Sequence, residues 1–262
     1  MPRLKRQMRR SLEFGCSRAG FATAERKTYS TLASLHNHGL FRAGALLIRS
    51  HAYGVLLNAL GAKAVPYATE DLDIARREQL ALTGIPPFLE MLRETGIEFF
   101  EAPSLKSRGP PTSCAELGGS RLMVDLLAPS PDESYPTIEV PELKAYAQGL
   151  PYLKYLLGKS QEAPLLSAHG IVQVRVPVPA RYAIHELLVS QLRGTVNSKA
   201  AKDLRQVATL IEAVVERFPG AVEDALSAVP KSAHRYLRRA TVALKHHLAA
   251  SAEAAWDALE SR

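Results

Sequence analysis

Apolar and polar positions divide the chain in two. Up to about residue 178, short apolar runs alternate with stretches of helical spacing; beyond it only helical spacing remains. A first helix is expected from Thr23, a candidate cap, with Tyr29, Leu32, Leu35 and His36 following at helical spacing before Asn37, His38 and Gly39 end it. Ala45–Ile48 reads as the first core strand. Apolar Ala52, Val55, Leu56 and Ala59 predict a helix over 51–60, closed by Gly61. A strand over 72–75 follows, then a helix over 86–94 whose leading prolines suit a first turn. Strands are expected over 97–100 and 121–127, separated by a Gly-, Pro- and Ser-rich loop over 103–119. Residues 131–141 read as irregular, 150–157 as an apolar element of either type, and 171–176 as a half-exposed alternating strand. From Pro179 onward, 180–192, 198–217, 220–228 and 232–259 read as helices. The stretch Val176-Pro177-Val178-Pro179 is the natural boundary. The expected organisation is a segment over 1–22, a domain of strands and helices over 23–178, and a helical domain over 179–262.

Composition changes this picture little. The 262 residues are 47% hydrophobic and 23% charged, as in a soluble globular protein. No apolar run approaches the ~20 residues of a membrane span. Cys16 and Cys114 form neither a disulfide framework nor a zinc spacing, which suits a reducing compartment, so a cytoplasmic location is expected.

Charge adds one feature. Through Gly54 the chain carries ten Lys and Arg residues against Glu13 and Glu25, so that stretch is +8 and the remainder −1 in a net charge of +7. Such a start can bind nucleic acid, anionic lipid or an acidic partner. A solvated basic tail is the simpler reading. An organelle transit peptide is a third, opposed by Glu13 and the lack of a strong apolar face.

The candidate chemistry centres on Thr69-Glu70-Asp71-Leu72-Asp73-Ile74. On a strand, Asp71 and Asp73 project to one face while Leu72 and Ile74 enter a core. Neighbouring carboxylates repel unless a cation lies between them, and oxygen donors select Mg²⁺ or Mn²⁺. A solvated acidic turn is the competing reading, of about equal weight. Two further features favour the site. The strand-to-helix turn at Ser50 aims backbone N–H groups and a helix dipole outward, which suits phosphate. Asp125 interrupts an otherwise apolar strand, where burial without a partner is costly. No P-loop or Rossmann glycine pattern is present, and no nucleophile elbow surrounds Ser50. His36, His38 and His51 lack the Cys or carboxylate that would complete a zinc site, so they read as surface or capping residues. His246-His247 reads as a solvated helix face, and His185 as a core histidine.

Taken together, these motifs resemble the nucleotidyltransferase superfamily that includes DNA polymerase beta: an apolar-Gly-Ser turn, a helix, apolar-Asp-apolar-Asp, then a distant Asp. Leu40 to Ile48, Ser50-His51-Ala52-Tyr53-Gly54, Leu60-Gly61, Thr69 to Ala75 and Val124-Asp125-Leu126-Leu127 are similar to a bacterial family of uncharacterised nucleotidyltransferase-fold proteins, over about 29–218. The resemblance implies an α+β fold, a mixed sheet flanked by helices and followed by a C-terminal helical domain. It implies metal-dependent transfer of a nucleoside monophosphate from an NTP to a hydroxyl acceptor on RNA, protein or a small molecule. Asp71, Asp73 and Asp125 would be the catalytic metal ligands, and Ser50 a phosphate contact. Lys199 and Lys202, which share a helix face with Asp203 and Gln206, would meet the triphosphate.

Two positions depart from the pattern: Arg49 stands where the family has Gly, and Glu186 where a lysine is common. Arg49 would either block the pocket or hold phosphate itself. The alternatives are therefore a catalytically impaired nucleotide- or RNA-binding protein, with RNA held by the basic N-terminal segment, or a toxin whose antitoxin partner masks the acidic cleft.

Overall fold

The computed structural model describes residues 20–63, 70–103, 109–118, 122–192, 198–248 and 252–260, with side chains throughout except over 198–203. The chain divides between Val176 and Pro177 into two compact units. The fold is α+β, a mixed sheet with flanking helices and a C-terminal set of helices.

The first unit is built on a seven-stranded sheet and a two-stranded ribbon. In chain order it contains α1 (Arg26–Asn37), β1 (Ala45–Ile48), α2 (Arg49–Leu60), β2 (Asp71–Arg76), α3 (Phe88–Arg93), β3 (Phe99–Ala102), β4 (Ser113–Glu116), β5 (Met123–Pro129), β6 (Thr137–Val140), β7 (Ala145–Leu150), α4 (Leu153–Leu156), β8 (Ser160–Ser167) and β9 (Gly170–Pro177). The sheet runs β1-β2-β5-β4-β3, and β7 adds to the far end of β5 with β6 beyond it. Only the β2–β5 and β5–β7 pairs are parallel. The two central strands carry the core: Leu72, Ile74, Val124 and Leu126 are buried on one face, and all four residues of β1 are buried too. α2 packs on β1 and β2. The chain enters α2 directly from β1, and Gly61 in the left-handed region closes the helix, the usual role of glycine there.

Strands β8 and β9 form a separate two-stranded ribbon packed by α1 and α2. His36 Nδ1 lies 2.8 Å from the Gln173 carbonyl, and Arg175 Nε donates to the Phe41 carbonyl at 3.0 Å. Gly170, at φ 145°, is required twice over, because a Cβ there would also lie 2.5 Å from the Tyr29 hydroxyl.

Four strands escape the sequence pattern. Ser113–Glu116 has no apolar alternation and is extended because β3 and β5 pair with it on both sides. β6 falls in the stretch expected to be irregular, β7 is dominated by small residues, and β8 contains Pro164, which a two-stranded ribbon tolerates at an edge.

The second unit contains α5 (Pro179–Leu192), α6 (Ser198–Arg217), α7 (Ala221–Ser227), α8 (His234–Leu244) and α9 (Glu253–Glu260). α5 is buried along most of its length and packs on α6, α7 and α8, which is why it reads apolar all round. The single helix expected over 232–259 is instead broken. A 3-10 turn at Lys231–Ala233 precedes α8 and another at Lys245–His247 follows it, after which α9 packs on α6 and α7. No described helix is long and apolar enough to cross a membrane.

Candidate active site

Strand register builds the site. Asp73 of β2 stands opposite Asp125 of the parallel neighbour β5, and Asp125 opposite Ser113 of β4. Ile48, the last residue of β1, completes the row on the other side of Asp73. Cross-strand partners share a face, and Asp71 lies two residues from Asp73 on that same face. The three aspartates therefore line one side of two adjacent strands whose other side is core. Asp73 is buried, Asp125 half-buried and Asp71 exposed.

A cation already stands in this row. Arg49 follows Ile48 directly and opens α2 at φ 56°, a left-handed conformation uncommon for a side-chain-bearing residue. Its Nε lies 3.0 Å from Asp73 Oδ1, with side chains 30% and 8% exposed respectively. Ser50 follows in the first turn of α2, beside the N–H groups that a helix start leaves without intrahelical partners.

Asp125 is held differently. The Ser113 hydroxyl donates to its carboxylate, while Oδ1 is buried with no hydrogen-bond partner among the described residues. Burial foremost, and then the Asp71 charge, raise its pKa; the Ser113 bond and Arg49 pull the other way. One residue along β4, Cys114 points to the opposite, apolar face, and burial pushes its thiol up to about 12, so it is an inert core residue.

His51 is the residue that the sequence reading misplaced. It is a half-buried residue in the first turn of α2, not a surface or capping histidine, and its Nε2 is enclosed with no hydrogen-bond partner among the described residues. Burial lowers its pKa to about 4 against the opposing charge of Asp71, so the ring is neutral at neutral pH. The signal was its place one residue after Ser50, in the turn that faces the aspartates. His36 and His38 have structural partners, the Gln173 carbonyl and Glu94.

The donor set is all oxygen, which suits a hard divalent cation, and the orphaned Oδ1 of Asp125 fits one. As the side chains stand, with Arg49 against Asp73, no three His, Cys, Asp or Glu side chains among the described residues form a metal-holding cluster.

Lys199 and Lys202 belong to α6 of the second unit, and their side chains, like that of Asp203, lie outside the described residues. The N-terminal basic segment over 1–19 and Arg193 also lie outside them. The second unit has a polar interior of its own. His185 and Glu186 are buried with Nδ1 and Oε1 3.6 Å apart, and Gln206 is buried on α6. His185 is thus a core histidine, as its apolar surroundings in sequence suggest.

No curated protein matches the chain. A family model described as nucleotidyltransferase matches residues 26–230, from the first turn of α1 to the residue before the 3-10 turn ahead of α8. With the aspartate row, the strand-to-helix turn and the α+β fold all inside that span, the chain belongs to this nucleotidyltransferase family.

Proposed function

We propose that the protein is a metal-dependent nucleotidyltransferase that moves a nucleoside monophosphate from an NTP to a hydroxyl acceptor. The observation that best supports this is the register of Asp73 with Asp125, with Asp71 on the same face and Asp125 Oδ1 lacking a partner among the described residues. Asp71, Asp73 and Asp125 would hold Mg²⁺ or Mn²⁺. The bound ions would supply charge stabilisation to the attacking and leaving oxygens of an in-line displacement. Ser50 and the first-turn amides of α2 would hold the phosphates. The acceptor oxygen would attack the α-phosphorus and pyrophosphate would leave, with Asp125 placed to take the acceptor proton. Arg49 would exchange Asp73 for a phosphate oxygen once the triphosphate arrives. Lys199 and Lys202 would neutralise the triphosphate from the helical unit. The acceptor would be RNA, a protein or a small molecule, in a cytoplasmic setting.

The test is calorimetry with ATP, GTP, CTP and UTP in turn, each with and without Mg²⁺, on the protein and on Asp73→Asn. Metal-dependent binding of at least one NTP, lost in the variant while the fold is kept, is expected. Pyrophosphate release with an acceptor should then fall by about 10³-fold or more in the variant, roughly 4 kcal/mol of transition-state stabilisation. Equal turnover by the variant would overturn the assignment.

One observation favours a second reading. The Arg49–Asp73 pair supplies internally the charge that a metal would otherwise provide. A catalytically impaired nucleotide- or RNA-binding protein would bind NTP without regard to Mg²⁺ and release no pyrophosphate. An antitoxin covering the acidic face is compatible with either reading.

A further inference from the structure

Helix α8 carries a basic stripe that the aspartate site does not use. Between Lys231 and Ala252 the chain has five Lys or Arg residues and three His, with no Asp or Glu. The segment begins where the family match ends. Arg235, Arg238 and Arg239 fall at i, i+3 and i+4 and are exposed, with Lys231 before them and Lys245 and His246 after them also exposed. The opposite face, Leu237, Ala240 and Leu244, is buried. Among the described residues, no ion pair joins Arg238 or Arg239 to a carboxylate. Two half-buried aromatic rings flank the stripe. The Arg235 guanidinium lies 4.6 Å from the Tyr236 ring centre, and Lys245 Nζ lies 4.4 Å from that of Trp256.

We infer that the exposed face of α8 binds the phosphate backbone of unpaired RNA. A row of cations on one helix face, in a segment with no Asp or Glu of its own, fits a polyanion, whose bound counterions it would release. Tyr236 and Trp256 beside those cations offer stacking surface, which only unpaired bases can use; RNA presents these in loops and ends. A lipid surface fits less well. A helix lying on a membrane buries an apolar face in it, and the apolar face of α8 is already spent inside the unit. Among the described residues of α8, Val242, 67% exposed, is the only exposed large hydrophobic. The inference does not rest on the transfer reaction, since binding is measured without NTP or metal.

The experiment titrates the full chain with a labelled mixed-sequence single-stranded RNA over a series of salt concentrations. It compares the protein with Arg235→Gln/Arg238→Gln/Arg239→Gln and, because Arg235 contacts Tyr236, with Arg238→Gln/Arg239→Gln alone. Circular dichroism and thermal melting verify the fold. Affinity should fall by about tenfold or more in the triple variant, and the slope of log K against log salt should shrink by about 2, or by about 1.4 in the double variant. Unchanged affinity and slope would overturn the inference and leave any binding to other basic segments. Equally tight binding to duplex DNA of the same length would overturn the preference for unpaired RNA. Binding to phosphatidylserine vesicles that the substitutions abolish, with RNA binding untouched, would assign the stripe to lipid instead.

Discussion

Strand β2 carries two arginine–carboxylate pairs, and they are built for different ends. At its C-terminal end, Arg76 Nη1 lies 2.9 Å from Glu142 Oε1, with side chains 13% and 3% exposed. The same Glu142 oxygen accepts the Leu80 N–H at 3.0 Å, and Arg76 Nη2 donates to the Glu139 carbonyl at 3.0 Å. Three residues earlier, Asp73 meets Arg49 at a similar distance, but that arginine is more exposed and sits at φ 56°. It also faces a row in which Asp125 has an orphaned oxygen. The first pair ties three chain segments together through backbone bonds. The second holds a carboxylate in a strained, half-open arrangement next to two others. Length and charge are alike in the two pairs; what differs is that Arg76 and Glu142 Oε1 are each tied to a backbone group as well, while Asp73 stands in register with a second carboxylate.

The comparison breaks most visibly at Glu142. Glu142→Ala strands a buried guanidinium and frees the Leu80 amide, and removing one partner of a buried pair costs about 3–5 kcal/mol. Denaturant unfolding should show that loss, while NTP affinity per folded molecule should stay unchanged. A cost below about 1 kcal/mol, the range of exposed pairs, would mean that Arg76–Glu142 is no clamp and that the contrast with Arg49–Asp73 is one of position alone.

The sequence made the two pairs unequally legible. Asp73 and Asp125 stand out because each interrupts an apolar pattern, and alternation puts Asp71 on the same face as Asp73 whatever the tertiary structure. Their partners do not stand out. Ser113 reaches Asp125 only because β4 lies between β3 and β5, and its Ser-Cys-Ala-Glu has no strand signal of its own. Glu142 falls just past the stretch that reads as irregular, in a part of the sequence with no pattern assigned, and only β6 and β7 folding back beside β5 make it a partner for Arg76. Arg49 was visible as a departure from Gly-Ser, yet its target was not, because direction at a left-handed residue depends on the chain after it. The α+β class and the helical C-terminal part were readable because amphipathic spacing is local. The breaks around α8 were not, because the return of α9 onto α6 and α7 is a packing event.

His51 offers a smaller effect that separates the two ends of β2 by pH. Unfolded, its imidazole takes up a proton near the ordinary 6.5; folded, it does so only near 4, chiefly through burial. Between those values the unfolded chain binds more protons, so stability rises with pH and is lost as the pH falls through that window. The loss attributable to His51 is at most about 3 kcal/mol. His51→Gln should flatten unfolding free energy between those pH values, while Glu142→Ala should leave the slope as it is. A slope that survives in His51→Gln would place the acid sensitivity elsewhere and remove His51 from the interior of the site.

The smallest change in stability is expected at Arg49, and it tests the comparison most directly. Arg49→Gly removes the cation and also relieves a left-handed backbone that costs a side-chain-bearing residue about 1–2 kcal/mol. Against that gain stands a buried Asp73 left beside Asp125 without its counter-charge. The opposing terms leave a net loss of about 1 kcal/mol or less in chelator. Excess Mg²⁺ should then raise the melting temperature of Arg49→Gly by more than it raises that of the protein itself, since the ion no longer competes with a guanidinium for Asp73. Arg49→Lys separates the two contributions: it keeps the charge and the backbone strain but loses the planar fork, so its Mg²⁺ response should fall between the other two. Equal Mg²⁺ responses in all three proteins would mean that Arg49 does not compete at Asp73. Its pair would then be a second structural clamp like Arg76–Glu142, and the aspartate face would have to be read without a built-in counter-ion.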